Sequence, residues 1–186
     1  YIPTNLISIT DGQIYLSPSL FALGVLPAVD VGKSVSRVGG KAQRGPFRAV
    51  AGDLKLAYAQ FEELETFSRF GARLDDATRA TITHGQRIRA CLKQPQFDPV
   101  AVPAQIAVLL ALTAGLFDNV PLTRMAEAQR AVQHAATRLA APLRERRLGE
   151  NKLNDDDRKA VIDIAGAALK GFLPTPDAEP AAKAPG

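Results

Sequence analysis

Pro103-Ala104-Gln105-Ile106-Ala107-Val108-Leu109-Leu110-Ala111-Leu112-Thr113-Ala114-Gly115-Leu116 is apolar nearly all round from Ile106 onward. Pro103 sits where a first helical turn tolerates proline, because the N–H it lacks would be unpaired there anyway. A helix apolar on every side needs neighbours on every side, so this stretch predicts the buried centre of a bundle. It falls well short of the roughly 20 residues needed to cross a bilayer.

The flanking sequence supplies those neighbours. Phe47, Val50, Leu54, Ala57, Phe61 and Leu64 recur at steps of three and four and form one apolar stripe. Gly71 is expected to end that helix, and Asp75 or Asp76 to cap the next. The second stripe, Ile82, Ile88 and Leu92, stops before Pro95. Pro121 opens a further helix striped by Met125, Ala128, Val132 and Leu139, with a break expected at Pro142. Asn154 caps the last helix, whose first turn, Asp155-Asp156-Asp157, complements the helix dipole. Its apolar face is Val161, Ala165, Ala168 and Phe172. Short connections favour antiparallel packing, so residues 46–173 read as an antiparallel helical bundle.

Residues 1–45 follow another pattern. Leu6-Ile7-Ser8-Ile9 is a β-rich run closed by Asp11-Gly12, a strong turn signal, and Gln13-Ile14-Tyr15-Leu16 could pair with it as a hairpin. Val29, Val31, Val35 and Val38 supply a further β-branched segment. Three or four short strands make no stable sheet alone, so this region is expected to lean on neighbours. Residues 174–186 form a Pro/Ala-rich tail without pattern, the composition of a disordered segment. The fold class expected is mainly α, a bundle preceded by the last strands of an α/β domain.

Composition narrows the function classes. Apolar residues make up 46% and charged residues 23%, as in a soluble globular protein. A net charge of +4 arises from 23 bases interspersed with 19 acids, and no aromatic stacking motif accompanies them, which argues against nucleic acid. The densest basic cluster, Arg144-Glu145-Arg146-Arg147, reads as a solvated helix end. Cys91 is the single cysteine, so neither a disulfide framework nor a cysteine-rich metal site is expected. His84 and His134 lack metal-ligand spacing, and no metal ligand is assigned. Tyr1-Ile2-Pro3 carries no signal-peptide features.

Gly32-Lys33-Ser34 imitates the end of a phosphate-binding loop, G-x-x-x-x-G-K-[ST], but the first glycine would fall on Pro27 and the next element reads as a strand. No other such loop is found. The same segment, Val31-Gly32-Lys33-Ser34-Val35-Ser36-Arg37-Val38-Gly39-Gly40, delivers one arginine between small residues. A planar guanidinium matches phosphate oxygens, and bare backbone behind it permits close approach by another surface. The arginine suits insertion into a neighbour's site; a surface arginine in a Gly-rich turn is the plain alternative.

Tyr1-Ile2-Pro3-Thr4-Asn5-Leu6-Ile7-Ser8-Ile9-Thr10-Asp11-Gly12-Gln13-Ile14 and the Val31–Gly40 segment together resemble the alpha subunit of the rotary F-type ATP synthase. Val50-Ala51-Gly52, Ala59-Gln60-Phe61, Phe70-Gly71, Leu74-Asp75 and Leu92-Lys93-Gln94-Pro95-Gln96 follow in order, so the resemblance runs from residue 1 to about 173. It implies three parts: residues 1–45 as the end of a P-loop-type nucleotide-binding α/β domain, 46–173 as the helical C-terminal domain, and 174–186 as the tail.

The resemblance also implies roles. Arg37 would be an arginine finger reaching the nucleotide phosphates of a beta subunit, and Ser8 would lie at the same catalytic interface. Phe21, Pro27, Gln94 and Gln96 would line a second, non-catalytic nucleotide pocket. At Leu26 most relatives place an arginine, so that pocket is expected to be weakened. ATP or ADP with Mg2+ would be bound by the complete complex, the magnesium by residues outside this chain. Partners would be beta subunits across two interfaces, the central stalk (gamma) subunit near Phe70–Gly85, and the ion-translocating membrane sector indirectly. The site would be peripheral, on the cytoplasmic face of a bacterial inner membrane, with proton or sodium transport coupled to ATP synthesis or hydrolysis. By itself the fragment is expected to be inert. The reading from another class is a stand-alone helical interaction module without phosphoryl transfer.

Overall fold

The computed structural model describes residues 2–68, 74–138 and 153–174. Helices dominate: α1 (Ile2–Ile9), α2 (Pro18–Ala22), α3 (Gly45–Ser68), α4 (Asp76–Leu92), α5 (Val102–Thr113), α6 (Met125–Thr137) and α7 (Asp155–Leu169). The sheet is one antiparallel ribbon of β1 (Gly12–Gln13) and β2 (Val35–Ser36). A mainly helical bundle with a small β element is the architecture the periodicity predicts.

α5 lies at the centre. Ala104, Ile106, Ala107, Val108, Leu110, Ala111 and Leu112 are all buried, and the helix packs on α3, α6 and α7. Around it close Val50 and Phe61 from α3, Ile88 from α4, Met125, Ala128 and Val132 from α6, and Val161 and Ala165 from α7. Two helix starts form as their sequences dictate. Asp75 accepts the Thr78 N–H at 2.7 Å, and Asn154 accepts that of Asp157 at 2.7 Å; each pairs a donor the first turn would leave free.

The structure alters several details. Leu6–Ile9 is helical, not a strand, and does not pair with Gln13–Leu16; β1 pairs with β2 instead. The physical reason is hydrogen bonding. A lone four-residue strand leaves its backbone groups unpaired, whereas a helix pairs them within the segment. Leu6, Ile7 and Ile9 remain largely exposed on α1. At the end of α4 Cys91 faces the core and Leu92 is 43% exposed, one residue out of step with the expected stripe. Tyr58 joins the buried face of α3 as well. Gly71, Leu139, Pro142, the Arg144–Arg147 cluster and the 175–186 part of the tail lie outside the described residues.

Polar ties set the helices in register. Arg89 donates to Glu65 at 2.8 Å and to the Tyr58 hydroxyl at 3.2 Å, with its guanidinium 4.4 Å from the Phe61 ring centroid. This clamps α4 to α3 through ion pairing, hydrogen bonding and stacking together. The two histidines differ: His134 is exposed, while the Nδ1 of His84 lies 2.7 Å from Asp118 in the turn after α5.

That hydrogen bond from Asp118 raises the His84 pKa, and burial only partly opposes it. A histidine whose folded pKa is raised stabilises the fold fully below its ordinary value of about 6.5 and less as pH climbs through the raised value. Urea unfolding of Asp118→Asn against the parent should therefore show the largest deficit near pH 6. The deficit should shrink toward pH 8. A pH-independent difference would remove the ion pair from this account.

Candidate nucleotide-facing site

The ribbon places Arg37. Gly12 faces Ser36 and Gln13 faces Val35, and a Cβ on Gly12 would meet the Val35 carbonyl oxygen at 2.5 Å. Only glycine allows this approach. Arg37 follows β2 directly, and its backbone N–H donates to the Asp11 carbonyl at 2.8 Å. Beyond it the Ser36 hydroxyl accepts the Gly39 N–H at 3.0 Å, and Gly39 turns the chain with φ +48°.

The side chain of Arg37 is exposed, and one guanidinium N–H donates to the Ser8 carbonyl at 3.3 Å. Arg37 and Ser8, far apart in sequence, are thus brought together. The Ser8 hydroxyl itself donates to the Asn5 carbonyl at 2.8 Å within α1. A guanidinium carries five N–H donors, so most of the fork faces solvent. That arrangement can receive an oxyanion from a second surface.

Gly32-Lys33-Ser34 forms a turn that leads into β2, not into a helix. The Lys33 N–H donates to Asp30 Oδ1 at 2.9 Å, its ammonium lies 3.3 Å from Asp30 Oδ2 and 4.9 Å from the Tyr15 ring centroid. Ser34 Oγ donates to the Asp30 carbonyl at 2.6 Å and accepts the Tyr15 N–H at 3.0 Å. These residues are occupied in closing the turn. Val31 packs on the helical core. Glu62 on α3 has its pKa raised, first by burial and then by the neighbouring Asp30 carboxylate, which places this turn against α3.

A second locus forms where the N-terminal segment meets the end of α4. The Leu26–Pro27 bond is cis, and the Leu26 carbonyl accepts the Gln94 N–H at 3.0 Å. The Gln94 side chain donates to the Asp98 carbonyl at 2.8 Å. Pro27, Gln94 and Gln96 are exposed, as is Phe21 on α2. Leu26 and Gln94 are thus joined through the backbone. Among the described residues, no hydrogen bond ties Phe21 or Gln96 to that junction. Phe97 in the same loop is 92% exposed with φ +62°, an exposed aromatic that helical periodicity gave no reason to single out.

Cys91 is buried, which pushes its thiol up to about 12 and keeps it protonated. Among the described residues no group of three or more His, Cys, Asp or Glu side chains is placed to hold a metal. Among them also, no helix is long and apolar enough to cross a membrane.

Residues 43–168 match the family model described as the ATP synthase alpha/beta chain, C terminal domain. Residues 1–36 match the ATP synthase alpha/beta family, nucleotide-binding domain. The chain is 70% identical over 183 residues to ATP synthase subunit alpha 2 of Albidiferax ferrireducens, covering 98% of this chain and 34% of that protein. It is 68% identical over 176 residues to ATP synthase subunit alpha 2 of Polaromonas naphthalenivorans, covering 95% of this chain and 34% of that one.

The chain belongs to the ATP synthase alpha-subunit family.

Subunit alpha 1 of a Marinomonas species is 64% identical over 172 residues, 92% of this chain and 34% of that protein. The chain spans about a third of the length of the curated relatives it matches. Within this family frame, β1, α2 and the strand residues of β2 fall in the nucleotide-binding match, and α4 to α6 fall in the helical one. Arg37 stands between the two matched ranges, at the join.

Proposed function

We propose that the chain is the C-terminal part of an ATP synthase alpha subunit and that Arg37 acts as an arginine finger for the catalytic site of an adjoining beta subunit. One observation carries this reading: Arg37 follows a strand pinned to Gly12 and Asp11, and its guanidinium is exposed with one long hydrogen bond to give up. Phosphoryl transfer builds charge on the terminal phosphate oxygens, and a positioned guanidinium stabilises it by on the order of 10³–10⁵ in rate. Ser8, whose carbonyl takes the Arg37 contact, stands at the same interface and acts chiefly through backbone.

Residues 1–45 would close the nucleotide-binding domain, residues 46–173 would form the helical domain, and 174–186 would be its tail. The partners are beta subunits on both flanks and the gamma stalk. The assembly is peripheral, on the cytoplasmic face of a bacterial inner membrane, and couples ATP synthesis or hydrolysis to ion flow through a separate membrane sector. MgATP or MgADP would be held by the complete complex. Magnesium in that complex would be held by residues outside this chain. Turnover of the full-length assembled ring carrying Arg37→Ala tests the reading: intact rings that lose most activity support it, and intact rings with parental turnover sink it.

The non-catalytic nucleotide pocket would be built on the Leu26–Gln94 junction, with Phe21, Pro27 and Gln96 around it. Leu26 offers neither charge nor a stacking cation, and the Gln94 amide is engaged by Asp98. Leu26→Arg should therefore raise nucleotide retention at that site, with affinity rising about fivefold or more, the size of one cation–π or charged contact. Counting nucleotides retained by the gel-filtered ring, parent against variant, reads the effect. Equal retention would mean that Leu26 does not face the adenine.

A further inference from the structure

A groove of about 510 Å3 opens between the end of α4, the start of α5 and one side of α6. This volume lies within the range of small-molecule sites. Its apolar lining includes the core residues Cys91, Val108 and Met125, joined by Leu109, Val100 and Leu122. Four glutamines also line it, and three are fixed. Gln94 donates to the Asp98 carbonyl, Gln105 to the Val100 carbonyl at 2.6 Å, and Gln129 to the Cys91 carbonyl at 2.9 Å. Walls tied in this way need little reordering when a ligand enters.

The charge around the groove is asymmetric. Lys93 ends α4 and Arg130 stands on α6, both exposed, and neither enters an ion pair among the described residues. Asp98 is the one acid in the lining. The protonated Cys91 thiol adds no charge. Two cations against one carboxylate, over an apolar floor, match a ligand with an apolar body and an anionic head. Gln94 is the residue this groove shares with the Leu26–Gln94 junction; α5 and α6 supply about half of its other walls, and the end of α4 with the loop after it supplies nearly all the rest.

We propose that the groove binds a small amphipathic carboxylate, its apolar body against Val108, Leu109 and Met125 and its head group on Lys93 and Arg130. This assignment is independent of the arginine finger.

Titration calorimetry of the full-length subunit with decanoate, and with decylamine as the cationic counterpart, tests it. Decanoate should bind saturably at one site and decylamine at least about tenfold more weakly. Arg130→Glu should weaken decanoate by about tenfold or more, the effect of losing one charge-assisted hydrogen bond. Ala126→Trp, at an exposed position lining the groove, should fill it and abolish binding. Thermal melts establish that both variants fold as the parent does, and Lys93→Glu replaces either that does not. Absence of saturable binding, equal binding of the amine, or binding unmoved by Ala126→Trp would overturn the proposal. Displacement of decanoate by ATP would also overturn it, by assigning the groove to the nucleotide pocket.

Discussion

Replacing Arg37 by lysine in the full-length subunit should lower ATP turnover of the assembled alpha–beta ring by about a hundredfold or more. Lysine keeps the positive charge and loses the planar fork, so the substitution isolates geometry from charge. The structure explains why geometry should dominate. The backbone of Arg37 is fixed by its N–H bond to Asp11 and by the Gly12–Ser36 pairing one residue earlier. The guanidinium therefore projects from a fixed origin, and its reach is set by the side chain alone. A lysine ammonium from that origin presents a single strongly hydrated point instead of two parallel donors. Native mass spectrometry must show intact rings, because Arg37 also touches Ser8 on α1 and its loss could disturb that contact. Intact rings with parental turnover would reduce Arg37 to a tie between β2 and α1.

The helical part of this molecule was legible because two signals agree there. Apolar residues recur with the helical period, and capping residues stand where the period starts: Asp75 before α4 and Asn154 before α7. Misjudgements occur where tertiary geometry decides. Leu92 and Cys91 are both apolar and adjacent, and only the packing against α6 selects Cys91 for the core. Leu6–Ile9 has β-branched composition, yet composition cannot supply the neighbouring strand that such a segment needs. Arg37 could be singled out from ten consecutive residues because glycines and small side chains isolate it. The bond from Gln94 to Leu26 could not, since no local pattern reports that a helix end meets a cis-proline loop far earlier in the chain. His84 and Asp118 are hidden for the same reason: each is unremarkable in its own segment, and the pair exists only because α4 lies beside the turn after α5.

Gly85→Ala should destabilise the chain by about 2 kcal/mol. On an isolated helix the same change would stabilise by about 1 kcal/mol, because alanine is the better helix former. The sign reverses because of what faces Gly85. A Cβ built there overlaps the Cβ and Cγ of Phe61, atoms at the root of a fully buried side chain. A flexible side-chain tip could swing aside; a ring root moves only with its helix. The ring is further constrained by the Arg89 guanidinium over it, itself bonded to Glu65 and Tyr58. An added methyl must therefore push α3 away from α4 and loosen the register those bonds set. Overpacking of this kind costs about 3 kcal/mol at the upper end of its usual range, and the helix-propensity gain offsets about a third. The melting temperature should fall by about 4–8 °C, at about 2–4 °C per kcal/mol for a chain of this size. A second variant checks the cause. Phe61→Ala removes Cγ and the ring and leaves only the Cβ in the way, so adding Gly85→Ala to it should cost less than in the parent background. Additive losses in the double variant would mean that the two residues do not meet, and that Gly85 is required for some reason other than the close passage of α3 over α4.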